Sequence, residues 1–452
     1  MDPIYITIAL VGTFLLIFIL SPIYGIAFIT AFRTLSMLAE VHLEGNSYGF
    51  SAEGFLTLGI IIAGVLFTLV SKQGFKGILK WPFILFIVYC MLTIFATEDV
   101  VNFSKKLARL LGYFFLYLMV VQLSAKKENR KILSYAFVVS LLATSLPAIY
   151  IYCRDPQQYT RLIFGAEQGL QNVGIMSKNN FGFYSCYLVF FLIYLHSAVK
   201  NHLSKMIILA LFVLQAAMLV LSYTRSAWAA FLLAFPILIF YSRKRARLVV
   251  PLLALMVIGA SLYSVIYYGA YKEITEKKQV GFSSLHFRTA YAWPASIKAF
   301  EQKPVMGWGL GNDLYALTTA AKLKNTSHND YLLVLVETGI IGLTLYLLLL
   351  GCLLQRTLQS IRQAADEKTR LLCVSALAMF VAYMVGSIGE HLLQTPGATG
   401  YIITVLGMAH GTLLALPDCR PPEAVMSQLQ KQRFALHYQP EKEQAALDTS
   451  QL

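Results

Sequence analysis

The sequence predicts an all-α integral membrane protein of about 12 transmembrane helices, with a large outer loop between the tenth and eleventh candidate spans. Three observations carry that expectation. Of 452 residues, 57% are hydrophobic and only 13% charged, and the mean hydropathy is +0.63, a balance typical of polytopic membrane proteins. Apolar runs of spanning length recur along the chain. Basic clusters fall in every second loop, the pattern expected of cytoplasmic loops.

The 37 basic and 23 acidic residues leave a net charge of +14. In a soluble chain that excess would point to nucleic acid. Here it sits in short loops between spans, so nucleic acid is not an expected partner and the bilayer is. Six cysteines, Cys90, Cys153, Cys186, Cys352, Cys373 and Cys419, are scattered with no CxxC or Cys/His pairing, against a metal site or a disulfide framework. The N-terminal apolar run lacks a basic flank and reads as a first span, not a cleaved signal.

Taken in order, residues 4–36 are apolar and broken at Ser21-Pro22. That length fits one span plus a partial segment, or two short spans. The next loop is acidic, with Glu40, Glu44 and Glu53. Candidate spans follow at residues 54–71, 81–97, 107–124, 132–152, 179–198, 205–222, 226–241, 247–268, 330–354, 370–392 and 396–416. Clusters around Lys72, Lys126–Lys131, Lys200, Arg243–Arg247 and Arg356–Arg370 mark the cytoplasmic side. The opposite side receives residues 98–106, 153–178, 223–225, 269–329 and 390–395. Four regions result: an N-terminal bundle (1–268), an outer loop with short helices (269–329), C-terminal spans (330–416) and a flexible cytoplasmic tail (417–452).

The outer loop holds the densest chemistry. Trp293 to Phe300 has the apolar spacing of a short amphipathic helix, ended by Lys303-Pro304. Gly307, Gly309 and Gly311 alternate in a tight turn expected to be exposed. No Lys-Ser/Thr follows, so this is not a phosphate-cradling loop.

The ionisable groups on this side each have two readings. Arg225, in Ser222-Tyr-Thr-Arg-Ser226, is either a snorkelling helix anchor or an anion contact. Arg288 is either solvated or a second anion contact. His328 precedes a helix that Asn329 and Asp330 can cap, and its neutral ring can accept a proton. Glu337 is an intramembrane carboxylate, a group that usually faces a polar interior. Arg154, Arg161 and Lys178 add positive charge from the 153–178 loop, and Glu390 and His391 end the penultimate span on the same side. Together these would form a basic pocket suited to an anionic lipid head group.

Ser222-Tyr-Thr-Arg-Ser-Ala227, the Arg288…Trp293…Pro304-Val-Met-Gly-Trp-Gly-Leu-Gly311 run and His328-Asn-Asp-Tyr-Leu…Glu337-Thr-Gly-Ile-Ile-Gly342 resemble the O-antigen ligase/polymerase family. The motifs cover residues 172–345. The resemblance implies transfer of a glycan from an undecaprenyl-diphosphate carrier at the outer face of the bacterial inner membrane, with no cofactor, metal or nucleotide sugar. The acceptor would be lipid A–core for a ligase, or another carrier-linked unit for a polymerase. It also implies that Arg225 and Arg288 hold the diphosphate and that His328 sits at the transfer centre, with Arg154, Arg161, Lys178, Asn329, Asp330 and Glu337 around the substrate. Arg154 and Gly165, with ten residues between them, are similar to an Arg-x10-Gly pattern of polymerases.

Two other classes stay open on the residues alone. A transporter would place its polar groups at the bilayer midplane and show repeat symmetry, and neither is seen here. A scaffold with an outer binding loop is the other.

Overall fold

A computed structural model describes residues 3–33, 52–71, 78–154, 172–173, 176–222, 224–241, 259 and 287–415. The candidate span 247–268, apart from Gly259, and the 417–452 tail lie outside the described residues. Fourteen α-helices are named here, α1 to α14, and one antiparallel ladder of two-residue strands pairs Asn172–Val173 with Met176–Ser177.

Residues 4–36 form two helices, α1 (Pro3–Leu20) and α2 (Pro22–Phe32), with extended Ser21 breaking the path and a proline opening the second. Then come α3 (Ala52–Val70), α4 (Trp81–Leu92), α5 (Val100–Leu123) and α6 (Lys127–Arg154). The middle of the chain forms α7 (Lys178–Ala198), α8 (His202–Leu221) and α9 (Arg225–Tyr241). The last five are α10 (Trp293–Gln302), α11 (Asp313–Ala321), α12 (Asp330–Arg362), α13 (Glu367–Gly386) and α14 (Pro396–Leu414). Eight of the described helices are long and apolar enough to cross a membrane: α3, α5, α6, α7, α8, α12, α13 and α14. The apolar helices α1, α2, α4 and α9 are shorter.

Almost every residue of α14 is buried, which makes it the centre of the bundle. It lies along α5, where Gly407 and Gly411 let the backbones approach: a Cβ at Gly411 would sit 2.6 Å from the Val121 carbonyl oxygen. Helix α13 packs on α7 and α9, and α12 on α4 and α13. Several buried polar side chains find partners inside the bundle. Arg33 Nη2 meets Glu53 Oε1 at 2.6 Å, and His410 bridges Tyr117 and Thr357.

Three expectations need correcting. Residues 100–106, expected in a loop over 98–106, are helical. Asp99 accepts from Asn102 N at 2.9 Å and caps α5, so the helix begins at Val100. The penultimate span ends at Gly386 rather than 392, and residues 387–395 form a turn. The glycine turn is buried, not exposed, because every residue from Gly307 to Asp313 is covered by the helices around it.

What covers it is a break in α12. Gly339 has φ 65° and ψ −168°, outside helical space. Ile340 N–H, cut off from its helical acceptor, donates to Pro304 O at 2.9 Å, and Val336 O accepts from Trp308 N at 2.9 Å. Tyr89 Oη donates to Thr338 O at 3.0 Å. The turn thus repairs the hydrogen bonds that the break opens. It also needs its glycines: at Gly307 (φ 73°) a Cβ would collide with the Glu337 carbonyl, and at Gly309 (φ 93°) with Thr97.

Candidate active site at one end of the bundle

The short helices stack before the site. Helix α10 follows a π-helical turn at Arg288–Ala292 and ends at Lys303, close to where the sequence placed it. Its buried face is the small one, Ala295, Ser296 and Ala299, which lets Trp308 close in and donate Nε1–H to Ala299 O at 2.8 Å. Trp293 Nε1 donates to Ser327 O at 3.2 Å and so tethers the residue before His328. Asn329 then caps α12, its Oδ1 accepting from Tyr331 N and Leu332 N at 2.9 and 3.0 Å.

Around this start of α12 the structure gathers several candidate groups. His328 takes a left-handed backbone, φ 50°, and its N–H donates to His391 Nε2 at 2.9 Å. The two rings stack at 5.5 Å and 25°. Asp330 is fully buried. Its N–H donates to Ser387 O and its Oδ2 accepts from Leu393 N, both at 2.8 Å, so it braces the 387–395 turn. Arg288 Nη2 donates to Glu390 Oε1 at 2.7 Å, and Asn179 Nδ2 donates to the same oxygen at 3.0 Å. A Cβ built on Gly389 would lie 3.5 Å from both Arg288 Nη1 and Ser226 Cβ. Arg288 and the start of α9, where Arg225 stands, therefore flank one glycine. Arg225 is exposed and has no ion pair among the described residues.

The site mixes charges, with Arg288 against Glu390 and Asp330 against His391. Burial, then His391, then the Arg288 guanidinium pull the His328 imidazole down to about 4, so it is neutral at physiological pH.

The remaining candidates divide. Glu337 is buried and ion-paired to Lys106, whose Nζ also lies 3.0 Å from Asp313 Oδ1. For Asp313, burial would raise the carboxyl, but the Lys106 ammonium prevails and holds it below the usual range. Lys106 and Glu337 line a cavity of about 30 Å³ together with Arg109 and Gln394. Arg154 is exposed at the end of α6, its guanidinium 3.1 Å from Tyr150 Oη, and no contact joins it to His328 or Arg288. Arg161 lies outside the described residues, as does the side chain of Lys178. Lys106 and Asp313 were not singled out from the sequence. The available signal is a basic stretch, Lys105, Lys106 and Arg109, at the start of an apolar helix, which offers partners for the conspicuous Glu337.

Fold and site together define a polytopic α-helical membrane protein with a stacked histidine pair, Arg288 and Arg225 gathered at one end of its bundle. Residues 210–347, about a third of the chain, match the family model described as O-antigen ligase. The matched segment contains Arg225, Arg288, His328 and Glu337; Lys106, Glu390 and His391 lie outside it. No curated protein matches the chain.

Proposed function

We propose that the protein is a glycosyltransferase of the bacterial inner membrane that moves an undecaprenyl-diphosphate-linked glycan en bloc to lipid A–core at the outer face. The observation that carries this reading is the meeting of Arg288, Ser226 beside Arg225, and His328 around the 387–395 turn. Arg288 gives only Nη2 to Glu390, which leaves Nη1 and Nε to grip phosphate oxygens. Arg225 supplies a second fork. Two fixed guanidinium groups lower the barrier by meeting the charge that develops on the departing diphosphate, the role a divalent cation plays in other transferases.

In this scheme the acceptor hydroxyl oxygen bonds to the anomeric carbon as the carbon–oxygen bond to the diphosphate breaks. The hydroxyl proton passes to the neutral His328 ring, and undecaprenyl diphosphate leaves with the electron pair. One displacement inverts the anomeric centre. A lipid-linked polymerase is the second reading, favoured by the Arg154…Gly165 spacing, whose glycine lies outside the described residues. The test is purified protein in lipid nanodiscs with a lipid-diphosphate glycan and a lipid A–core acceptor, in the presence of a metal chelator. Glycosylated lipid A–core of inverted configuration is expected. Glycan chains built only on the carrier would make it a polymerase, and no covalent product with either acceptor would sink the assignment.

A further inference from the structure

His391 lies outside the segment that matches the family, yet it both hydrogen-bonds and stacks with His328. Its Nε2 accepts the His328 backbone N–H at 2.9 Å. A neutral imidazole that accepts at Nε2 carries its proton at Nδ1. That nitrogen faces Asp330 Oδ1 at 3.6 Å, just beyond hydrogen-bond length. Asp330 is held by its backbone N–H to Ser387 O and by its Oδ2 to Leu393 N, so the carboxylate cannot turn away without breaking the Leu393 bond. His328 is one of only two non-glycine residues with positive φ among the described residues, a backbone that persists where the surroundings over-determine it.

We propose that His391 is a positioning residue for His328: its Nε2 holds the strained His328 backbone, its ring buttresses the His328 ring, and Asp330 sets its tautomer. His391 is not the base in this arrangement, because its lone pair is committed to the His328 N–H and its proton faces Asp330. The inference rests on His328 standing at the transfer centre.

The experiment is a double-mutant cycle in the nanodisc transfer assay with a lipid-diphosphate glycan donor. His391→Ala is expected to lower kcat on the order of 100-fold, the cost of a misplaced catalytic group, with donor KM nearly unchanged. His391→Gln, whose Oε1 can take the N–H, should restore at least about tenfold of that loss. In a His328→Asn background, His391→Ala should change kcat by less than about threefold, since the group it positions is gone. If His391→Ala does not fold, His391→Asn, too short to reach the N–H, replaces it throughout. Losses that multiply across the cycle would overturn the proposal, as would a folded Gln variant no better than Ala. A His328→Asn protein with near-normal kcat is a different result: it removes the reading of His328 itself, and the proposal with it.

Discussion

Gly309 N–H donates to the carbonyl oxygen of Glu337 at 2.8 Å, so the glycine turn and the break in α12 are one structure. Glu337 is thereby held by its backbone to the turn and by its carboxylate to Lys106. The turn before the site and the helix behind it are locked from both sides.

Substitution at the break should therefore be costly. Gly339→Ala forces a side chain into φ 65° against the Val305 carbonyl, about 1–3 kcal/mol from conformation alone. Gly351→Ala, in the same helix with nothing within 4 Å of its Cβ, should be neutral or stabilising by up to about 1 kcal/mol. Thermal unfolding in detergent compares the two. Equal melting temperatures would mean that the turn does not depend on the break.

The buried cation has a sharper signature. Lys106→Met leaves Glu337 and Asp313 buried without their ammonium, a loss of about 3–5 kcal/mol. Adding Glu337→Gln should recover part of it, because one of the stranded charges is removed. Recovery is read from the same unfolding curves.

For the arginines, Ala at Arg225 or Arg288 should abolish transfer with the protein still inserted. Lys should rescue poorly because a point charge lacks the bidentate fork. Transfer close to wild type in both alanine variants would leave Arg225 as a helix-end anchor.

His328 gives a pH test. Its imidazole is held down to about 4, so the proton-accepting form persists through neutral pH and is lost only as pH falls through that region. Transfer (kcat/KM) should stay flat from neutral pH downward and fall on an acid limb near 4, where the ring charges beside Arg288 and His391. His328→Asn should lower transfer by about a hundredfold or more and lack that limb. A wild-type limb near 6.5 would show that the site does not depress this ring.

Sidedness can be read in cells. Asn325, exposed next to the site, and Lys126, exposed at the opposite end between α5 and α6, are suited to single cysteines in a cysteine-free background. An impermeant thiol reagent should label the first and not the second in intact cells. Labelling of position 126 alone would put the site on the cytoplasmic face.

Much of this was legible in the sequence. The apolar runs marked most of the helices, the Trp293 segment read as the helix it is, and Asn329 read as a cap, because these depend on neighbours a few positions away. The buried glycine turn misled because Gly307, Gly309 and Gly311 carry no apolar side chain. Their burial comes from backbone docking against Glu337 and Thr97. Lys106 and Glu337 pair across 231 positions, and no local pattern encodes a partner at that range. Helix α11 was not placed either, since its short run Asp313–Ala321 is held by packing on Trp308 and α12 more than by periodicity.

The repaired break also bears on how the chain is assembled. Carbonyl oxygens at Val336 and Glu337 left bare would be barred from lipid, so the upper part of α12 cannot settle until residues 304–309 are in place. Those residues are synthesised first. A nascent chain thus emerges with the plug ahead of the helix it completes, and residues 340–362, long enough to cross hydrocarbon by themselves, can enter the bilayer while the polar end is being closed.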